Sequence, residues 1–259
     1  MKKLANKWSL CQELNIYKQL VHGVRIFDIR IAKVEEELKY YVVHRFAFSL
    51  FETVLNDICR FMKENTSEII IIKLTCTYMV DNGEIEDLLE RIVGDLILTS
   101  YSRCLHDITI GEILRSGRRL IMCFPHHNKY FRPDDIFIAR PISLINSMMH
   151  KYVHEEHCLQ EYSKCKKNYM VSWTLTPSMS NIISSIFQRP FSLKEYVSPL
   201  QQKLRKFINS LSSAEKAAIG AIDVDFVDVT EVVSVCMALN SERAKYLINN
   251  FIKRKQIIF

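Results

Sequence analysis

Val24-Arg25-Ile26-Phe27-Asp28-Ile29-Arg30 carries one apolar run into charge, and Tyr40-Tyr41-Val42-Val43-His44 ends the next in an imidazole. Residues on a strand alternate between faces, so Asp28 and Arg30, two apart, point the same way. The connection from Lys33 to Lys39 is charged and reads as a hairpin-like turn. A carboxylate, a guanidinium and an imidazole then meet at one end of adjacent strands. That set suits a phosphate: arginine offers fixed charge on a planar fork, and histidine passes a proton near neutral pH. The competing reading is an Asp–Arg pair that ties two strands together, with His44 a surface residue.

Outward from this stretch, strands alternate with amphipathic helices. Trp8 to His22 reads as helical turns leading into Gly23. Ser49-Leu50-Phe51-Glu52 has the spacing of a capping box and opens a helix with Phe51, Val54, Leu55, Ile58, Phe61 and Met62 on its apolar face. Ile69-Ile70-Ile71-Ile72-Lys73-Leu74 is β-branched without alternation, as in a parallel strand buried on both faces. A helix after Asp81-Asn82-Gly83, a second capping box at Thr109-Ile110-Gly111-Glu112 and a strand at 119–124 follow. Beyond them come a possible strand at 136–139 and a helix over 142–162. Met170 to Leu175 is the next strand. Helices over 179–187 and 192–210 follow, the latter opened by the box Ser192-Leu193-Lys194-Glu195. A last strand at 222–227 and helices over 230–240 and 241–255 close the chain. This order predicts one α/β domain over 1–259 with a largely parallel sheet.

The composition, 48% hydrophobic and 25% charged, is that of a folded protein. No apolar window reaches the roughly 18 residues of a spanning helix. Met1 to Lys7 is basic without an apolar run behind it, so no leader is read there. Eight scattered cysteines, several inside apolar runs, point to a reducing, cytoplasmic setting. The net charge of +6 favours anionic partners such as a phospholipid surface. It is too diffuse for nucleic acid.

The motif Gly23-Val24-Arg25-Ile26-Phe27-Asp28-Ile29-Arg30 with His44 after it resembles the catalytic X domain of phosphatidylinositol-specific phospholipase C, of the bacterial or small single-domain eukaryotic kind. The likeness extends through Trp8, Cys11-Gln12-Glu13 and Gln19-Leu20. Later it continues at Trp173-Thr174-Leu175-Thr176-Pro177, Asp225-Phe226-Val227-Asp228 and Ala238-Leu239-Asn240. The resemblance implies a distorted, TIM-like β/α barrel with its site at the C-terminal strand ends. It implies cleavage of the phosphodiester between inositol and diacylglycerol. One histidine takes the proton of the attacking inositol hydroxyl, and a second gives a proton to the departing oxygen. On this reading His44 is the proton donor and Arg30 the cation that stands where larger relatives bind a metal. Asp28 is the carboxylate beside it, and Asp225 the residue that orients the first histidine. No cofactor is implied.

The sequence departs from that pattern at the first histidine. In the family it lies in a Ser/Thr-His-Asp-Ser segment on the first strand, before the position of Trp8; no His-Asp-Ser occurs here. The expected barrel therefore lacks its first strand. Arg45 stands where the family has a glycine after the second histidine. Two functions stay open: a phosphodiesterase impaired by the lost base, and an inactive relative that binds inositol lipid or a protein. An unrelated barrel with a structural Asp28–Arg30 pair is the third reading.

Other candidates carry their own alternatives. Lys73 reads either as a phosphate ligand or as a snorkelling lysine. Tyr169 and Trp173 are pocket aromatics or core. His126 and His127 are a substitute base or solvated loop residues. His154, His157, Cys158 and Cys165 have no standard zinc spacing. Lys253-Arg254-Lys255 either touches an anionic membrane or is solvated.

Overall fold

The computed structural model describes residues 7–34, 36–44, 46–100, 105, 108–124, 129–132, 147–165 and 168–256. The chain divides into two compact units, 1–138 and 139–259.

In the first unit, α1 (Ile16–His22) is capped by Asn15, whose side chain accepts from the Lys18 amide at 2.9 Å. Gly23 ends it at φ 112°, a left-handed conformation that glycine adopts without steric cost. Strands β1 (Ile26–Val34), β2 (Lys39–His44) and β3 (Phe46–Leu50) follow, then α2 (Phe51–Glu64), β4 (Ile70–Tyr78), α3 (Asn82–Val93), β5 (Ile97–Leu98), α4 (Ile110–Ser116) and β6 (Leu120–Cys123). They form one mixed sheet of order β3-β2-β1-β4-β6-β5. β1, β4, β6 and β5 run parallel, and β2 and β3 return antiparallel. The charged connection before β2 is too short for a parallel crossover, so an antiparallel return follows.

Three expectations change here. Ser49 does not cap a helix: it lies in β3, and Leu50 occupies the N-cap without a side-chain bond. β4 is not buried on both faces. Ile70, Ile72 and Leu74 are buried while Ile71 and Lys73 are half-exposed, because that second face carries polar groups. β5 is too short to leave a periodic signal. The box at Thr109 forms as read, with the Glu112 carboxylate accepting from the Thr109 amide at 2.8 Å.

The core of this unit lies between the sheet and its helices. Phe27, Ile29 and Ile31 of β1 pack with Leu20, Leu55, Ile58, Phe61 and Met62. Arg25 bridges the layers: its guanidinium donates to Glu68 at 2.7 Å and lies 4.9 Å from the centre of the Phe61 ring. The Arg25 hydrogen bond holds the Glu68 carboxyl below its ordinary value, with burial opposing. A carboxyl depressed on folding stabilises above its unfolded pKa and loses that contribution as the pH falls through its folded pKa. The stability deficit of Glu68→Gln at neutral pH should therefore shrink below the ordinary value of 4.5. A deficit unchanged across a urea titration series from neutral to acid pH would contradict this.

The second unit contains α5 (Met148–Cys165), β7 (Tyr169–Trp173), α6 (Met179–Ser184), α7 (Leu193–Gln201), α8 (Leu204–Ser210), α9 (Ser213–Ala218), β8 (Ile219–Val224) and α10 (Val232–Gln256). β7 and β8 pair in parallel, with Ser172 opposite Asp223. The expected strand at 222–227 ends sooner, since Phe226 turns to φ 51°. The helix read over 192–210 is two, and the two read over 230–255 are one. At Ser192 the box is shifted: its side chain accepts from the Glu195 amide, but the Glu195 carboxylate takes the Phe191 amide instead. The readings at Arg45, His126, His127 and 136–139 lie outside the described residues, as do the side chains of 253–255.

Candidate functional site

β1 presents Asp28 and Arg30 on one exposed face, while Phe27, Ile29 and Ile31 are buried on the other. The register with β4 sets Lys73 opposite Asp28 and Thr75 opposite Arg30. The Lys73 Nζ lies 3.0 Å from the Asp28 Oδ2, with both side chains about a third exposed. Asp28 thus pairs with Lys73, and the sequence-read Asp28–Arg30 tie does not form. The Arg30 side chain makes no hydrogen bond or ion pair among the described residues. Two cations and one carboxylate stand side by side on this face, leaving net positive charge for an oxyanion.

His44 ends β2, and its contacts come from the N-terminal segment. Its Nδ1 lies 2.9 Å from the Ser9 carbonyl oxygen and 3.4 Å from the Cys11 Sγ. A carbonyl only accepts, so Nδ1 carries the proton. When the ring is neutral, Nε2 has a free lone pair; when it is charged, Nε2–H can be given up. Ser9 is buried, so this tether sits in a fixed place. The carbonyl that holds an imidazole 35 residues away leaves no signature in side-chain spacing.

Asp225 belongs to the second unit, just past β8. Asp223 and Asp225 both act electrostatically on Lys151, a lysine only 1% exposed. The Lys151 Nζ faces the Glu155 Oε1 at 3.6 Å. The Glu155 Oε2 accepts from the Tyr169 hydroxyl at 3.0 Å and the Ser172 amide at 3.3 Å. Burial pulls Lys151 below its ordinary value and pushes Glu155 above its own, with each partner opposing. Sequence reading passed over this pair, although Lys and Glu at i and i+4 on a helix signal contact.

Tyr169 and Trp173 are core residues by placement. Trp173 is fully buried, stacks on Phe207 with centroids 4.6 Å apart, and donates from Nε1 to the Leu200 carbonyl. Tyr169 is fully buried against Tyr162. Among the described residues no group of three His, Cys, Asp or Glu side chains could hold a metal. His154 touches the Cys158 Sγ at 3.9 Å, and the Cys165 side chain lies outside the described residues. Cys59, Cys76 and Cys236 are free thiols, and burial raises the Cys76 thiol to about 11.

The comparisons with known proteins meet the resemblance read from the sequence. Residues 3–110 match the family described as phosphatidylinositol-specific phospholipase C, X domain. A PI-PLC X-box domain-containing protein of Dictyostelium discoideum is 34% identical over 112 residues, 42% of this chain and 15% of that protein. PI-PLC X domain-containing protein 2 of the mouse is 22% identical over 252 residues, 93% of this chain and 72% of that one. The phosphatidylinositol-specific phospholipase C of Listeria monocytogenes superposes with a TM-score of 0.64 at 18% identity, covering 89% of this chain and 85% of that one. The Staphylococcus aureus enzyme gives 0.61 at 14% identity, covering 86% and 80%. These likenesses show the α/β fold of that barrel, which among the described residues is not closed: the strands form two sheets. With the Asp28–Arg30 motif inside the matched segment, residues 3–110 are similar to the X domain of phosphatidylinositol-specific phospholipase C.

Proposed function

We propose that the chain is a phospholipase C-like module that holds the phosphodiester of a phosphatidylinositol-type lipid at Arg30 and Lys73, with His44 as the proton donor. The observation that supports it is Arg30, an exposed guanidinium with no partner among the described residues, on the face it shares with the Lys73–Asp28 pair. A structural arginine would be spent on a carboxylate; Asp28 is instead spent on Lys73. Arg30 offers two parallel N–H groups to phosphate oxygens, and Lys73 adds a point charge that Asp28 keeps in place. The Ser9 carbonyl fixes the His44 ring through Nδ1–H, leaving Nε2 to carry the proton given to the departing diacylglycerol oxygen.

Turnover by these 259 residues should be slow. None of them matches the family's first histidine, and losing a general base costs about 10²–10⁴-fold in rate. Binding survives that loss, because the cations do not depend on it. No helix among the described residues is long and apolar enough to cross a membrane, so the lipid would be met at a bilayer surface.

The test is calorimetric titration with a soluble inositol phosphate. Arg30→Ala should weaken binding by about ten- to a hundredfold, the worth of a lost charged hydrogen-bonding group. Equal affinity of the two proteins would remove the basis of this reading. On phosphatidylinositol vesicles with chelator present, any slow cleavage should vanish in His44→Ala. Cleavage that persists would take the acid role from His44.

A further inference from the structure

β3 is one edge of the six-stranded sheet, and it has little of what folded proteins use to close an edge. Its sequence, Phe46-Ala47-Phe48-Ser49-Leu50, holds no charge, proline or glycine. Phe46 to Ser49 are all exposed, the two phenylalanines by 42% and 38%. Beyond the pairing with β2, the main-chain groups of these four residues make no hydrogen bond among the described residues. A register shift between Tyr41 and Val43 twists the strand, and that is the protection it has. β5, at the other edge, is two residues long and too short to template a strand. An open, uncharged edge such as β3 is a template for one.

The order of charge along the chain narrows the occupant. Arg45 precedes the strand and Glu52 follows it, with only uncharged residues between. The Glu52 side chain is half exposed while it accepts from Arg91 at 3.1 Å. A strand that is basic before its start and acidic beyond its end is complementary to itself when two copies run antiparallel. A two-fold axis at Phe48 sets Phe48 against the partner's Phe48 and Phe46 against the partner's Leu50. It also sets the basic end of each strand against the acidic end of the other. Aromatic, apolar and opposite-charge pairs across strands are the contacts that stabilise a sheet. Two copies side by side in parallel would instead bring like charges together.

We infer that β3 is a homodimer interface: a second copy of the chain pairs with it antiparallel across a two-fold axis at Phe48, joining the two sheets into one. A contact of this symmetry uses the same patch on both partners. With five residues a side it belongs to the weak, reversible class, so monomer and dimer exchange at micromolar concentrations. The inference goes beyond the lipid reading and does not rest on it. β2, which carries His44, is the next strand inward, so the dimer braces the strand that holds this imidazole.

The experiment is sedimentation velocity of the full chain. The wild type should pass from monomer to dimer over roughly 1–100 µM, the range of a weak interface. Phe48→Lys and Phe48→Glu should each associate at least about tenfold more weakly, because like charges then face each other at the axis. Mixed in equal amounts, the two variants should form a heterodimer, since opposite charges now face each other there. Position 48 is exposed, so at monomeric concentrations both variants should keep the wild-type thermal midpoint. A wild type that stays monomeric over the whole range overturns the inference and leaves the edge to a strand of a different protein. Phe48→Lys that dimerises as the wild type does overturns it too. A mixture that remains monomeric removes the two-fold axis at Phe48. Inositol phosphate titration of Phe48→Lys should match the wild type, so the Arg30 reading is tested apart from all of these results.

Discussion

Replacing Lys151 by alanine should destabilise the protein by about 3–5 kcal/mol, the cost of removing one partner from a buried ion pair. Lys151 is 1% exposed and Glu155 is fully buried. The 3.6 Å between Nζ and Oε1 is an ion pair without a hydrogen bond, and Oε1 has no hydrogen-bond donor of its own. Without Lys151, Glu155 keeps its two neutral donors, Tyr169 and the Ser172 amide, and His154 Nδ1 at 3.4 Å from Oε1. None of these matches a buried ammonium, so the carboxyl should rise further and take a proton. A carboxyl raised on folding stabilises below its unfolded pKa and loses that contribution as the pH rises through its folded pKa. The variant's deficit should accordingly be least in acid and grow towards neutral pH. Lys151→Met combined with Glu155→Gln should recover much of the loss, because the amide still accepts from Tyr169 and no charge is left unpaired. A single variant with a wild-type urea midpoint would show that the pair contributes nothing. The prediction bears on function as well, because the charge of Asp225 acts on Lys151. Any role for Asp225 is exercised within the field of this lysine.

The central strands were legible because their signal is local. Alternation of Phe27, Asp28, Ile29 and Arg30 set two faces, and the isoleucine run at 69–72 marked β4. Where two local signals competed, sequence reading failed. Ser49 to Glu52 has the spacing of a cap, yet pairing of β2 with β3 draws Ser49 into a strand. Asn240-Ser241 looks like a helix boundary, but α10 runs through it. The site was readable in its residue types and not in its pairings. Asp28 and Arg30 share a face as their spacing required, but only the β1–β4 register reveals that Lys73 takes Asp28 and leaves Arg30 unpaired. The hold on His44 comes through the Ser9 main chain, which every residue type carries, so no pattern could announce it.

Arg118 and Arg119 are adjacent and should behave very differently. Arg119 is buried, and its guanidinium donates to the carbonyls of Met62, Asn65 and Glu68 at 2.9, 2.9 and 2.8 Å. Helix α2 ends at Glu64, so Arg119 satisfies acceptors that its last turn and the following loop leave open, where a cation also meets the helix dipole. Arg119→Ala removes three charged hydrogen bonds in a site closed to water, and about 3–4 kcal/mol of stability should go with them. Arg119→Lys should fall between, because one ammonium cannot reproduce the fork. Arg118 is exposed and donates to Gly94 and Ile97 at 3.1 Å, where water can take its place. Arg118→Ala should cost less than about 1 kcal/mol. The effect of Arg119 should also reach the anion site. Its carbonyl accepts from the Ile70 amide at 3.0 Å at the start of β4, and Lys73 lies three residues along the same strand. Inositol phosphate affinity should therefore fall in Arg119→Ala and stay at the wild-type level in Arg118→Ala. Equal urea midpoints for the two variants would refute the capping role, and full affinity in a destabilised Arg119→Ala would separate the cap from the site.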